Sequence, residues 1–172
     1  MLTTTKFLTS FSKIAIIFLI VFTDLSYAIN LVITENGTSI IKIKRNTEEV
    51  SFKLSIDING YEINCQKNKM IIWGIPKKFN PSSAQDNALT IIDLDLLKIN
   101  FTLRFGRGIF GVKYIENGDL AFIETDNGHL LNVMDGTVKQ TDPNTETEEN
   151  FIFETCPSFK YKSFNRFTEI HH

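Results

Sequence analysis

Residues 52–65 read FKLSIDINGYEINC, and apolar and polar side chains alternate along this stretch on both sides of an Asn-Gly pair. Alternation with a period of two puts the apolar side chains on one face of a β-strand. Asn59 and Gly60 provide the two positive-φ residues that a type I′ turn needs, and the twist of that turn matches the twist of a hairpin. We therefore predict a β-hairpin that turns at Asn59-Gly60 and directs Cys65 toward the core.

The same turn signal recurs along the chain. Short apolar runs are separated by Asn36-Gly37, Asn117-Gly118, Asn127-Gly128 and Asp135-Gly136. Further strands are expected at Met70–Trp73, Leu89–Leu94 and Ile99–Phe105. We find no convincing helical period, and β-branched residues disfavour a short helix over 89–97. The pattern predicts an all-β fold, either a small antiparallel β-sandwich or an open barrel, built from consecutive hairpins.

The strand rhythm between Met70 and Val138 resembles that of β-propeller blades. The resemblance covers MIIWG, LTIIDL, GIFGVKY and LAFIETDNGHL, which are runs of ordinary hairpin chemistry. A closed propeller needs at least four blades of about 40 residues each, more than the 144 residues of 29–172 can provide. We therefore interpret the region as a β-meander.

The first 28 residues have the pattern of a secretory signal peptide. Lys6 and Lys13 form a positive region, an apolar run covers 14–22, and Ser26 and Ala28 are the small residues of a cleavage site. As a helix, the apolar run spans only about 13.5 Å of a hydrocarbon core of about 30 Å, which disfavours the alternative of a membrane anchor. We predict a periplasmic or secreted protein, with no stable membrane insertion after cleavage and a single β domain at 29–172.

The two cysteines, Cys65 and Cys156, both lie in this domain. An even number of cysteines in an exported chain favours a disulfide, and the alternative is a pair of buried thiols. The disulfide would pin the C-terminal tail back on the domain after an acidic linker at 139–150. No second Cys or His lies near either sulfur in sequence, so we expect no metal site.

The sequence contains no recognisable catalytic motif. It lacks the Gly-x-Ser-x-Gly elbow, a phosphate-binding glycine loop and His-Glu-x-x-His. His129 follows Asp-Asn-Gly and is expected to be exposed in a turn. Two sets of carboxylates are interpreted as solvent-facing strand charges. The first set is Asp93 with Asp95 on one strand face, and the second is Asp119, Glu124 and Asp126 near adjacent turns. The alternatives for these carboxylates are a cation site or a catalytic pair. No catalytic residue and no cofactor is predicted.

A 15-residue irregular stretch at 74–88 is the best candidate for a contact surface. Connections of this length are uncommon in compact domains and are often functional. We assign Lys77, Lys78 and Phe79 to the partner-binding surface, together with Arg104 and Arg107; the alternative is a simple connector. The basic and aromatic tail at 159–167 is interpreted as an edge strand, with a partner-binding strip as its alternative.

The 18 basic and 20 acidic residues nearly balance, which argues against nucleic acid or an anionic membrane as the partner. Export, small size and the missing catalytic motifs predict an envelope protein that acts by binding another protein. In size and compartment the chain resembles the periplasmic immunity proteins, which occlude the active site of a toxin. The alternatives are an accessory or virulence-associated component of an envelope secretion or assembly system and, third, a hydrolase of envelope polymers. In a homodimer, strand edges near 30–45 or in the tail would form the seam.

Overall fold

The computed structural model describes residues 31–35, 39–78, 81–83, 85–142 and 148–156. The predicted signal peptide, the 159–167 tail and Phe79 lie outside these residues. The described strands are β1 (Leu31–Glu35), β2 (Ile40–Arg45), β3 (Glu48–Lys53), β4 (Ile56–Ile63), β5 (Lys69–Pro76), β6 (Asn87–Asp93), β7 (Lys98–Phe105), β8 (Gly111–Tyr114), β9 (Leu120–Glu124), β10 (His129–Asn132) and β11 (Val138–Gln140). One 3₁₀ turn follows at Glu148–Asn150. The prediction of an all-β fold is confirmed.

The strands form three antiparallel sheets, each a meander of consecutive strands. The N-terminal sheet contains β1, β2 and β3, the central sheet β4 to β7, and the C-terminal sheet β8 to β11. The meander predicted within residues 70–138 is divided between two sheets, with β5 to β7 in the central sheet and β8 to β11 in the C-terminal sheet. Three sheets take the place of the predicted two-sheet sandwich or open barrel, because the C-terminal sheet packs on the face of the central sheet opposite the N-terminal sheet.

The two inner strands of the central sheet, β5 and β6, are buried on both faces. On one face, Met70 and Ile72 pack with Ile41 and Ile43 of the N-terminal sheet. The residues that alternate with them form a second core with the C-terminal sheet; this core includes Ile71, Trp73, Leu89, Ile91, Val112, Tyr114, Ile123 and Leu131. A strand covered on both faces needs apolar side chains at successive positions. The unbroken apolar runs of β5 and β6 have this origin, and they make the fold three layers deep.

The predicted turn at Asn59-Gly60 is wrong. β4 runs without interruption from Ile56 to Ile63, and its pairing with β5 shifts register between Ile58 and Gly60. This β-bulge adds one residue and changes the phase of the alternation, so that Ile58 before it and Ile63 after it face the same core. Gly60 lies so close to Trp73 that a Cβ atom would stand 2.5 Å from its Cζ2 atom. Glycine is therefore required here for close packing within a strand.

Other turn predictions are confirmed. Asn117 and Gly118 connect β8 to β9 with φ angles of 78° and 74°. Gly128 and Gly136 also have positive φ, at the connections on either side of β10. Asn36-Gly37 lies outside the described residues. The strands expected at 70–73, 89–94 and 99–105 are β5, β6 and β7.

The predicted disulfide is present between Cys65 and Cys156, whose Cα atoms are 5.3 Å apart. It joins the end of β4 to the segment that follows the C-terminal sheet. Glu154 supports the same junction, because its Oε2 atom accepts a hydrogen bond from the Cys65 backbone N–H at 2.8 Å. Phe153 pairs with Ile115 through an isolated β-bridge and contacts the ring of Phe122. The chain after the acidic segment is thus held against the domain up to Cys156.

The acidic segment begins later than we predict. Lys139 and Gln140 belong to β11, which pairs with β10. Thr141 is buried, and its hydroxyl donates a hydrogen bond to the carbonyl oxygen of Asn127 at 2.8 Å. The first part of the stretch at 139–150 is therefore an edge of the C-terminal sheet.

Candidate binding site

Four of the five predicted contact residues meet at one end of the central sheet. At this end β5 and β7 finish and β6 starts, since the three strands run antiparallel. Lys77 and Lys78 follow β5. Arg104 is the second-last residue of β7, and Arg107 follows that strand. Lys53, at the end of β3, joins them from the N-terminal sheet. We call this surface the basic end.

The first cleft at the basic end lies between the N-terminal and central sheets and has a volume of about 500 Å³. Its apolar floor includes Leu54, Ile56, Pro76 and Ala88. Four cations surround the floor: Lys53, Lys77, Lys78 and Arg104. Within the described ranges, none of these cations forms a salt bridge.

The backbone fixes part of this wall. The N–H group of Lys77 donates a hydrogen bond to the carbonyl oxygen of Ser55 at 2.9 Å. This bond ties the chain leaving β5 to the chain entering β4. Lys77 and Lys78 are exposed, so their ammonium groups face solvent while their backbone is held. The first cleft therefore has exposed positive charges along an edge whose backbone is held by a hydrogen bond.

The second cleft lies on the other side of β7, between the central and C-terminal sheets, and has a volume of about 610 Å³. Arg104 contributes to both clefts. The remaining polar lining comes from Arg107, Thr125, Asn127, His129 and Gln140. Arg107 forms an ion pair with Asp126 at 3.1 Å, in which both side chains are at least half exposed. Such exposed pairs contribute at most about 1 kcal/mol.

His129 is not the exposed turn residue that we predict. It is the first residue of β10 and is half-buried, with its ring edge against Phe105 at a centroid distance of 5.6 Å. Its Nδ1 atom and the Thr125 hydroxyl are hydrogen-bonded at 2.9 Å. Burial lowers the pKa of His129 and so favours the neutral imidazole. The sequence does contain a signal for this position, because His129 is in phase with the buried Leu131 and Val133.

The carboxylates predicted to share a strand face at 93 and 95 have separate structural roles. Asp93 ends β6 and is buried, and its Oδ2 atom accepts a hydrogen bond from Lys69 Nζ at 2.6 Å. Its Oδ1 atom accepts the backbone N–H groups of Asp95 and Leu96, each at 2.9 Å. Asp95 lies in the following turn and pairs with Arg45.

These contacts set the ionisation of Asp93. Burial by itself would raise the pKa of Asp93, but the hydrogen bonds from Lys69, Leu96 and Asp95, with the charge of Lys69, lower it below its ordinary value. Asp93 is therefore a charged residue that closes a turn, at the end of the sheet away from the two clefts.

The second group of carboxylates does not converge either. Glu124 pairs with Lys113 at 2.7 Å, and Asp126 pairs with Arg107. Asp119 precedes β9 while Glu124 ends it, a separation of about 16 Å at the rise of a strand. Asp119 and Glu124 are therefore too far apart for the paired carboxylates of a glycosidase, and among the described residues these acids form no group with the spacing of metal ligands.

One group with the spacing of metal ligands occurs in the part of the chain that the structure describes. It consists of Cys65, Glu154 and Cys156, whose ligand atoms lie within 4.8 Å of one another. The two sulfur atoms are bonded to each other, whereas a cysteine binds metal as a thiolate. In the oxidised protein this group is a covalent crosslink.

No model of a known protein family matches this chain, and no curated protein shows significant sequence similarity to it. Among the residues described, no helix has the length and apolar character that crossing a membrane requires.

Proposed function

We propose that this chain is an exported binding protein of the bacterial envelope, and that it contacts an acidic surface of another protein through the basic end. Its role in this proposal is that of an immunity or inhibitor protein, which neutralises a secreted toxin by covering it. One observation carries the proposal. Lys53, Lys77, Lys78 and Arg104 come from three separate chain segments and gather at one edge without a described salt bridge.

The charge arrangement argues for a partner. The whole chain has a net charge of −2, so a local excess of cations is not a consequence of a basic composition. Like charges at one edge repel, and acidic groups of a partner would relieve that repulsion. Such complementarity accelerates association and selects the partner. Arg104 adds a planar group that can hold a carboxylate by two hydrogen bonds.

The features predicted from the sequence favour inhibition as the role. A small chain with a signal-peptide pattern, one disulfide and no converging catalytic groups among its described residues fits a protein that acts by occlusion. The alternative role is an accessory or virulence-associated component of an envelope secretion or assembly system. The identity of the bound partner separates the two roles, since the first requires a toxin and the second a component of the apparatus.

Affinity capture with paired variants tests the proposal. The mature protein is used to capture partners from the envelope fraction and secreted proteins of its own organism, and the dissociation constant is then measured with the purified partner. We expect the double variant K77Q/K78Q to bind at least about tenfold more weakly, a loss of about 1.4 kcal/mol.

The matched control is K44Q/K98Q. Lys44 and Lys98 are also exposed, and they lie at the opposite end of the central sheet: Lys44 precedes Arg45, the partner of Asp95, and Lys98 begins β7. This control removes the same charge and should bind normally. Equal binding by both double variants and the wild-type protein would contradict the proposed surface.

A further inference from the structure

We propose that the second cleft is a binding site for a small ligand with a compact oxyanion, a carboxylate or a phosphate monoester, which Arg104 and Arg107 hold from one side and His129 from the other. This site is distinct from the contact surface proposed above, although that surface also includes Arg104 and Arg107. It does not require the protein to be an inhibitor.

The form of the cleft suits a small molecule. Its volume of about 610 Å³ lies within the range of roughly 300–1,000 Å³ that is typical of ligand sites. Leu103, Phe105 and Val138 give it apolar walls. The polar groups come from three regions of the chain, namely the end of β7, the β9–β10 connection and β11. Apolar walls with a few converging polar groups are the usual composition of such sites.

The polar groups are suited to an anion. Arg104 forms no salt bridge with a described residue, and no carboxylate is among the residues that line the cleft. Asp126, which is not part of the lining, is paired with Arg107. That pair is exposed on both sides, so an anionic ligand can replace Asp126 at little cost. The amides of Asn127 and Gln140 supply further hydrogen-bond donors at the opening.

His129 makes binding depend on pH. Its surroundings are Arg104 and Arg107 on the β7 side, Asp126 in the β9–β10 connection, and the uncharged Val138 and Gln140 on β11. Burial lowers the pKa of the free imidazole, and a bound anion would favour the imidazolium form. Anion affinity should therefore increase as the pH falls through the range in which His129 gains its proton.

Phosphate and acetate are the probes for this site. Each is titrated separately into the full-length mature protein, and binding is followed by the backbone amide NMR signals of 125–129. We expect saturable shifts with a dissociation constant of about 1 mM for the better probe, and the probe that binds more tightly identifies the headgroup. The affinity for acetate, which stays ionised, should rise several-fold as the pH falls below the ordinary imidazole pKa of 6.5.

Three variants locate the site. R104Q and H129Q should each weaken binding about fivefold or more, whereas K77Q, which alters only the first cleft, should leave it unchanged. H129Q should also abolish the pH dependence. The proposal is overturned if both probes leave the 125–129 signals unshifted, or if K77Q weakens binding as much as H129Q. The latter outcome would indicate general attraction of anions to the basic end.

Discussion

The two ends of the central sheet differ in whether their charged residues have partners within the protein. At one end, which we call the closed end, lie the turns 64–68 and 94–97. Asp93 there accepts hydrogen bonds from Lys69 and from two backbone N–H groups. Arg45 donates hydrogen bonds to the Leu94 carbonyl oxygen and to Asp95. Asn64 accepts backbone hydrogen bonds from Asn68 and Lys69, and the disulfide is one residue away. At the basic end, four cations have no described acidic partner.

This difference separates charges that serve the fold from charges that are available to a ligand. A buried ion pair with completed hydrogen bonds holds a turn in one geometry, and breaking it is costly. Exposed cations without partners contribute little to folding. They keep their hydrogen-bonding capacity for another molecule. The comparison therefore predicts that stability depends on the closed end and binding on the basic end.

Removing the disulfide should have the largest effect on stability. Cys65 and Cys156 are 91 residues apart, and closing a loop of that length stabilises a protein by about 4–5 kcal/mol in the chain-entropy model. We expect the double variant C65S/C156S to lose about 2–5 kcal/mol in urea unfolding. Wild-type protein unfolded under reducing conditions should lose a similar amount. If the variant is as stable as the oxidised protein, the crosslink does not stabilise the closed end.

The substitution Asp93→Asn should have the next largest effect. It leaves the Lys69 ammonium, whose side chain is only 13% exposed, without its counter-charge. We expect a loss of about 2–3 kcal/mol in the free energy of unfolding. The control is Asp95→Asn, which alters an ion pair whose carboxylate is half exposed and should cost less than about 1 kcal/mol. Equal losses of unfolding free energy in the two variants would contradict the distinction between the buried and the exposed ion pair.

Asp93 should also make stability depend on pH. Its pKa in the folded protein is lowered below the ordinary value of 3.8. A lowered pKa contributes stability above the pKa of the unfolded chain, and this contribution is lost as the pH falls through the folded value. The stability difference between wild type and D93N should therefore be constant near neutral pH and shrink below about pH 4. A constant difference at all pH values would show that the charge of Asp93 is not its source.

The smallest effect on stability is expected at the basic end. K77Q/K78Q should change the free energy of unfolding by no more than about 0.5 kcal/mol, because both side chains are exposed and neither forms a described ion pair. Urea unfolding of this variant beside K44Q/K98Q gives the measurement. A loss above about 1 kcal/mol would mean that these lysines support the fold, and weakened partner binding could then follow from altered structure.

Local patterns predicted much of the fold. Short runs rich in apolar residues identified β5, β6 and β7, and glycine-containing turns placed the connections of the C-terminal sheet, since both signals depend on neighbouring residues alone. The pairing of Cys65 with Cys156 followed from the number of cysteines. Asn59-Gly60 shows the limit of this reasoning, because a hairpin turn and a β-bulge give the same local sequence. The position of Trp73, thirteen residues further on, is what distinguishes them.

The candidate site shows the same division. The sequence identified Lys77, Lys78, Arg104 and Arg107 as residues able to contact a partner. It did not indicate that Lys53 would join them, and the phase of His129 with Leu131 and Val133 indicated burial but not a cleft. By itself the sequence determined the strands, the crosslinked cysteines and the balance of charge, which depend on composition and short-range order. Only the tertiary structure decided which strand ends lie together, because the stacking of three sheets depends on contacts between residues far apart in the chain.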